Sequence, residues 1–170
     1  MDIFDVKILQ LLETDGRMPF SSIATSLGIS HTMVHQRVNK LMEQGILAGI
    51  KPLLNEKKMG YDWAAFTGIT LEKDADSGKV IEALKKIPEV TECYYITGNF
   101  TLYLRILAKS HEHMRQILYQ KIDPLPGVAK TASMIELGCA FKRNIMLEVP
   151  WVTLIFLGHI FPFRLTYFQW

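Results

Sequence analysis

The strongest constraint on the fold is a change in hydrophobic periodicity near residue 50. Before it, apolar residues recur every three to four positions, which predicts helices with one buried face each. After it, apolar and β-branched runs alternate with helical segments in the order strand, helix, strand, strand, helix, strand. The chain of 170 residues therefore contains two differently built regions.

Three short helices are predicted in the first 45 residues. Asp2 and Asp5 suit the start of the first helix, because carboxylates there accept backbone N–H bonds and face the positive end of the helix. Ser21 or Ser22 is expected to cap the second helix, and Ser30 the third. The residues expected to be buried are Val6, Ile8, Leu9 and Leu12 in the first helix, Ile23, Ala24 and Leu27 in the second, and Val34, Val38, Leu41 and Met42 in the third.

Only Gly28-Ile29-Ser30 separates the second helix from the third. This spacing is typical of a helix-turn-helix, where a glycine can adopt the left-handed conformation that the tight turn needs. The polar flank of the third helix carries no acid before Glu43. Gln and Asn side chains can pair with adenine, and Arg with guanine or phosphate, so this flank is predicted to read the major groove of double-stranded DNA. The candidate residues are Ser30, His31, Thr32, His35, Gln36, Arg37, Asn39 and Lys40, with Lys7, Arg17 and Lys51 as neighbours of the DNA backbone.

The second region predicts a sheet covered by two helices. Residues 46–60 are expected to hold a strand and a linker. Further strands are predicted over Trp63–Leu71, Val90–Thr97, Phe100–Ala108 and Val128–Leu137, and helices over Ser77–Ile87 and Ser110–Ile122. A βαββαβ order usually folds as a four-stranded antiparallel sheet with both helices on one face. The predicted class is α+β: a helix-turn-helix domain (1–50), a linker strand (51–61), a ferredoxin-like domain (62–148) and an atypical aromatic tail (149–170).

The loop between the strands predicted over Val90–Thr97 and Phe100–Ala108 has two interpretations. Gly98-Asn99 is typical of a tight hairpin turn. The same glycine would let the backbone approach a ligand, beside the polar groups of Asn99 and Thr101. If the loop binds a small effector, the candidate residues are Thr97, Gly98, Asn99, Phe100, Thr101 and Tyr103.

The charge balance, the cysteines and the possible metal ligands limit the classes of function that this chain can have. Residues 1–60 carry 7 Lys and Arg against 6 Asp and Glu, and the remainder carries 12 against 11, so a large basic surface is excluded. Cys93 and Cys139 lack CxxC spacing, and a reducing, cytoplasmic location without a signal peptide is expected. His111 with His113, and Asp74 with Asp76, offer too few ligands for a metal, so no metal or cofactor is expected.

The tail is set apart by its aromatic content. Its apolar run from Trp151 to Phe161 is 11 residues long, against the roughly 20 that cross a bilayer, so no membrane partner is expected. Three readings stay open: an arm that covers a partner subunit, a segment on a membrane surface, or sequence not selected for this fold, such as readthrough or a frameshift. The last is favoured.

Motifs across residues 1–148 resemble the leucine-responsive/asparagine-regulator (Lrp/AsnC) family of prokaryotic transcription regulators. They are Asp5-x-x-Ile8-Leu9, Gly16-Arg17, Ile23-Ala24, Leu27-Gly28-Ile29-Ser30, Val34, Arg37-Val38, Leu41, Gly45-Ile46, Gly60-Tyr61, Pro88-Glu89-Val90, Thr97-Gly98, Leu104-Arg105 and Leu125-Pro126-Gly127-Val128. The resemblance implies a DNA-binding domain followed by a ligand-sensing domain, homodimers paired through their sheets, and assembly of dimers into octamers. It also implies a small effector, usually an amino acid, bound near the hairpin loop.

The loop departs from the family pattern. The family usually reads Gly-Asp-x-Asp-Tyr, whereas Asn99 and Thr101 replace the two acids here, and Tyr103 lies further along. A buried ammonium group without its carboxylate partner commonly costs a few kcal/mol. A neutral or otherwise different effector, or none, is therefore expected.

Two other functions compete with gene regulation. Siroheme decarboxylases resemble this family, but their His-Asn-Tyr-x-Arg and Asn-Leu-Trp stretches are replaced here by Glu92-Cys93-Tyr94-Tyr95-Ile96 and Thr101-Leu102-Tyr103. The His and Arg that would hold a porphyrin carboxylate or move a proton are missing, so no enzymatic activity is expected. The other alternative is an assembly protein that organises DNA with little choice of sequence.

Overall fold

The structure is a computed structural model that describes residues 1–145 and residue 147. The described chain forms two compact units: residues 1–53 together with the described residues after Lys142, and Leu54–Lys142. The predicted aromatic tail at 149–170 lies outside the described residues. The helices are α1 (Ile3–Thr14), α2 (Phe20–Leu27), α3 (His31–Glu43), α4 (Ser77–Leu84) and α5 (His111–Gln116), and the strands are β1 (Trp63–Leu71), β2 (Val90–Tyr95), β3 (Leu102–Ala108) and β4 (Val128–Ile135).

In the amino-terminal unit, three helices enclose a small apolar core. Asp2 caps α1 by accepting the N–H groups of Phe4 and Asp5, and the Asp5 carboxylate accepts the N–H of Asp2 in return. This reciprocal pair confirms the predicted start of the helix. The core residues are Ile8, Leu12, Ile23, Ala24, Val34 and Val38.

Two details of the predicted helices are wrong. α2 begins after Pro19 rather than at a serine cap, because Pro19 holds φ at −60° and its carbonyl accepts the N–H groups of Ser22 and Ile23. Met42 is 43% exposed instead of buried. It follows Leu41 by about 100° around the helix, and Leu41 takes the buried position in the last turn.

The carboxy-terminal unit confirms the predicted α+β arrangement. Its four strands form an antiparallel sheet in the order β2-β3-β1-β4. One sheet face packs against α4, α5 and the π-helical turns Ile117–Ile122 that continue α5. The residues buried there include Ala65, Ile69, Leu84, Leu104, Ile106, Met114, Ile117 and Ile122. The opposite face is called the open face below.

The predicted strand within residues 46–60 does not form. A 3₁₀ turn at Lys57–Met59 follows an irregular segment in which Leu53 and Leu54 are 101% and 65% exposed. A strand needs a hydrogen-bonded neighbour, and the described chain supplies none here. The predicted ends of three other elements lie two or three residues too late, since helix α4 stops at Leu84, β2 at Tyr95 and β4 at Ile135.

Candidate nucleic-acid interface and effector loop

The turn between α2 and α3 has the geometry that its sequence predicts. Gly28 adopts the left-handed conformation at φ +64°, and Ile29 donates its N–H to the carbonyl of Ala24 at 3.1 Å. Ser30 then caps α3, because its hydroxyl accepts the N–H of Met33 at 3.1 Å. These bonds fix where α3 begins and how it leaves the turn.

α3 is buried on one side only. Val34, Val38 and Leu41 are at most 1% exposed and face the core. Seven of the eight predicted DNA-contacting residues are exposed: Ser30, His31, Thr32, His35, Gln36, Asn39 and Lys40. We call these seven residues the outer flank of α3. It presents hydroxyl, imidazole, amide and ammonium groups with no carboxylate before Glu43.

Aromatic contacts brace the first turns of this flank. The rings of His31 and His35 meet edge to face with centroids 4.5 Å apart, and His35 meets Phe20 of α2 in the same way at 4.7 Å. Met33 of the same helix is also exposed, at 39%. Neither Phe20 nor Met33 was among the predicted site residues. The i, i+4 spacing of the two histidines was the available signal for their contact.

Arg37 is the predicted residue that turns away from the flank. Its Nη1 atom donates to Asp2 Oδ2 at 2.6 Å and to Asp5 Oδ1 at 2.7 Å. Its side chain is 24% exposed, and the guanidinium carbon lies 5.4 Å from the centre of the Phe4 ring. The structure therefore places Arg37 against the start of α1, apart from the other seven. The three neighbouring cations, Lys7, Arg17 and Lys51, are all exposed in this unit.

The hairpin between β2 and β3 has a well-defined backbone. Gly98 lies at φ +104°, a conformation that favours glycine, and Ile96 donates its N–H to Thr101 O at 3.2 Å. Thr101 donates its own N–H to Ile69 O at 2.8 Å, and the Thr70 hydroxyl donates to Asn99 O at 3.2 Å. The loop is therefore bonded to the end of β1 as well as to its own strands.

The two aromatic candidates, Phe100 in the loop and Tyr103 in β3, pack within the unit. A Cβ atom added to Gly68 would lie 2.5 Å from the Phe100 ring, so the ring rests directly on the glycine backbone. Tyr103 stacks on Phe66 with centroids 5.8 Å apart. The predicted residues missed Phe66 and Gly68. A glycine inside a strand was the available signal, because it often marks close approach by another group.

Thr97, Gly98 and Asn99 are exposed, while Phe100, Thr101 and Tyr103 are half-buried. No carboxylate lies between Thr97 and Tyr103. On the open face nearby, Arg105 forms a two-pronged ion pair with Glu56, with Nη1 and Nη2 at 2.8 and 2.7 Å from the carboxylate oxygens. The bond from Arg105 lowers the pKa of Glu56 below its usual range. These two charges of the open face are thus paired with each other.

Comparisons with known proteins agree with this arrangement. The AsnC-type helix-turn-helix domain matches residues 1–42, and the Lrp/AsnC ligand binding domain matches residues 64–144. The family models thus place a DNA-binding domain before the Lrp/AsnC ligand binding domain, which is the domain order of a transcriptional regulator. The chain belongs to the Lrp/AsnC family of transcriptional regulators.

Among its relatives is the regulatory protein AsnC of Haemophilus influenzae, 34% identical over 145 residues, which are 85% of this chain and 97% of the relative. The structure of Escherichia coli AsnC superposes with a TM-score of 0.80 at 30% identity, covering 85% of this chain and 97% of that one. A feast or famine regulatory protein from M. tuberculosis, complexed with L-methionine, gives 0.79 at 27% identity, covering 86% and 99%. These relatives are named as regulators, which does not favour the decarboxylase or the DNA-organising alternative.

The described residues lack two further features, a membrane-spanning helix and a metal-binding cluster. None of the helices there is both long and apolar enough to cross a bilayer. Within the same residues, no group of three or more His, Cys, Asp or Glu side chains could hold a metal ion.

Proposed function

We propose that this regulator binds operator DNA by placing the outer flank of α3 in the major groove. The observation that carries the proposal is the one-sided burial of α3, with Val34, Val38 and Leu41 in the core and the seven polar residues exposed. An α-helix fits the width of the groove, and amide side chains can recognise adenine through two hydrogen bonds. Gln36 and Asn39 carry the amides, so they are proposed to read bases.

The flank divides into base-reading and backbone-binding parts. Ser30 and Thr32 lie at the amino end of α3, where free backbone N–H groups and the helix dipole favour a phosphate. Lys40 supplies a positive charge one turn beyond Gln36. The near-even charge of the whole chain leaves little attraction for DNA at random, so contacts of this flank have to provide both affinity and sequence choice.

The test replaces both amides in the full chain. A duplex is first selected from a random-sequence library with the native protein, and a random duplex serves as the nonspecific probe. We expect Gln36→Ala/Asn39→Ala to weaken binding to the selected duplex about a hundredfold, since each two-bond base contact contributes roughly 1–3 kcal/mol. Nonspecific binding should change little.

Gln120→Ala is the matched control, because it removes an exposed amide from the other unit. It should bind the selected duplex as the native chain does. Equal affinity of the double variant and the native chain for that duplex would contradict the proposed role of α3.

The proposed assembly is a homodimer, from which octamers can be built. The open face carries exposed Tyr94 and Met134, 52% and 50% exposed, beside half-buried Phe66 and Tyr103. Apolar and aromatic surface of this kind favours a second protein surface. Two copies paired through this face would present two α3 helices to a pseudo-palindromic site, with half-sites about one helical turn or a multiple apart.

Such a regulator acts in the cytoplasm of a prokaryotic cell.

The proposed effector site is the hairpin loop, through Thr97, Gly98, Asn99, Phe100, Thr101 and Tyr103. The M. tuberculosis relative that carries L-methionine supports a small molecule of amino-acid size for this chain. Asn99 and Thr101 offer neutral hydrogen-bonding groups in place of carboxylates. The loop is therefore suited to an effector that carries no ammonium group, such as the hydroxy acid corresponding to an amino acid.

A further inference from the structure

We infer that Arg37 is a positioning residue for DNA recognition, which acts by tying α3 to the capped end of α1 and makes no contact with DNA. The inference rests on the proposed function, because it names the contact that sets the orientation of the reading helix. It also gives a single role to three charged side chains, Asp2, Asp5 and Arg37, that stand together in the amino-terminal unit.

The bonding of the two carboxylates carries the inference. Asp2 Oδ1 accepts the N–H groups of Phe4 and Asp5, at 2.9 and 3.0 Å, and Asp5 Oδ2 accepts the N–H of Asp2 at 2.9 Å. The remaining oxygen of each carboxylate accepts the same Arg37 Nη1 atom, at 2.6 and 2.7 Å. All four oxygens are therefore used, and the arginine completes the capping box of α1.

The location of Arg37 on α3 makes this contact important for recognition. It lies between the buried stripe of Val34 and Val38 and the exposed Gln36 and Lys40. An ion pair at this border resists rotation of α3 about its own axis. Such a rotation would displace the side chains of Gln36 and Lys40 in the same direction. Apolar packing alone holds a helix less strictly in rotation, because it lacks the directionality of charged hydrogen bonds.

The surroundings of the Arg37 guanidinium group favour its bonds to Asp2 and Asp5 over an exposed position facing DNA. The Asp5 side chain is 13% exposed, and the Phe4 ring lies beside the guanidinium group. Burial works against ionisation of Asp2, but its bonds from the Asp5 backbone and from Arg37 outweigh burial and lower the pKa of Asp2. Moving Arg37 to a DNA phosphate would leave two carboxylates close together without their cation.

The test uses the full chain, the selected duplex and the random duplex. Arg37→Met keeps an unbranched stem over Phe4 but removes the charge, and Asp5→Asn removes one acceptor of the tie. Lys40→Met is the matched control on the outer flank. Each variant is assayed well below its thermal midpoint, over a series of salt concentrations, so that binding is compared between folded proteins.

We expect Arg37→Met to weaken binding to the selected duplex roughly tenfold, comparable to the loss of one base contact. Asp5→Asn should weaken it in the same direction, and the double variant should lose no more than Arg37→Met alone, since both changes break one tie. Random-duplex binding and the salt dependence should stay at native values. Lys40→Met should instead lower the slope of log affinity against log salt by about 0.9, the value for one lost phosphate contact.

Three results would overturn the inference. A reduced salt slope for Arg37→Met, with native binding by Asp5→Asn, would identify Arg37 as a phosphate contact. A lowered thermal midpoint with native affinity for the selected duplex would leave Arg37 a role in stability alone. Failure of the native chain to prefer any duplex would remove the proposed function first and this inference with it, before any variant is compared.

Discussion

The outer flank of α3 and the hairpin region at 97–103 both hold predicted contact residues, but the structure uses their side chains differently. On α3, seven of eight candidate side chains are exposed, over a buried stripe that fixes which way they point. At the hairpin, Phe100 packs against Gly68, and Tyr103 at the start of β3 stacks on Phe66. A regular helix therefore leaves its polar side chains available to a partner, whereas the short loop uses its aromatic side chains to hold itself against the sheet.

The largest expected effect comes from restoring the missing acids of the loop. Asn99→Asp/Thr101→Asp should strengthen binding of L-methionine about a hundredfold, since an unpartnered ammonium group costs a few kcal/mol. The native chain should instead bind L-methionine no better than its hydroxy-acid counterpart. Calorimetric titration of both ligands into both proteins measures the difference.

Asn99→Ala/Thr101→Ala is the control for loss of the native polar groups, and it should gain no preference for the amino acid. Strong binding of L-methionine by the native chain would show that the loop does not need acids, and would remove the contrast drawn between this loop and its family pattern.

The next effect concerns the packing that holds the loop. Gly68→Ala would put a methyl group 2.5 Å from Phe100, so the ring must leave its place and the unfolding free energy should fall by roughly 1–3 kcal/mol. The unfolding free energy is measured by chemical denaturation, followed by a spectroscopic signal of the β-sheet.

Gly138→Ala is matched to it, because a Cβ atom there meets nothing within 4 Å and the change should be close to neutral. If both alanine variants unfold at the same denaturant concentration as the native chain, the packing of Phe100 on Gly68 does not stabilise the fold. The side chains of the loop would then be as available to a partner as those of the outer flank of α3.

The smallest effect tests the ion pair on the open face. The pKa of Glu56 is lowered mainly by its hydrogen bond from Arg105, so the folded state binds a proton there less readily than the unfolded state does. Its contribution to stability is therefore present above the usual carboxyl range, about pH 4, and is lost as pH falls through the lowered value. Glu56→Gln should be less stable than the native chain at pH 7, and the gap should close toward pH 3.

Glu72→Gln, which removes an exposed carboxylate from the same unit, should show no comparable gap at either pH. A gap for Glu56→Gln that stays constant down to pH 3 would mean that the charge of Glu56 does not stabilise the open face.

The spacing of apolar residues predicted most of the fold, because an element that is buried on one side has apolar residues at regular intervals in its sequence. β1 matches its predicted bounds from Trp63 to Leu71, and the turn at Gly28 follows from the residues around it. The strand expected in residues 46–60 did not form, since apolar residues alone do not supply a neighbouring strand. The domain boundaries and the contact residues remain predictions.

Arg37 shows what periodicity could not provide for the site. Its position at the edge of the polar flank would allow its side chain to point either to DNA or to α1. The partners that decide the direction, Asp2 and Asp5, lie more than thirty positions away in the chain. The same holds for Phe100, whose contact with Gly68 depends on the pairing of β1 with β3. Contacts between distant segments decide the direction of such side chains, and spacing along the sequence does not record them.

The most direct measurement is a crystal structure of the full chain bound to its selected duplex, in which the distances from the Gln36 and Asn39 amides to the base edges are read. We expect both amides within hydrogen-bonding distance of bases in the major groove, with Arg37 still bonded to Asp2 and Asp5. A complex in which the outer flank of α3 faces away from the DNA would contradict the account.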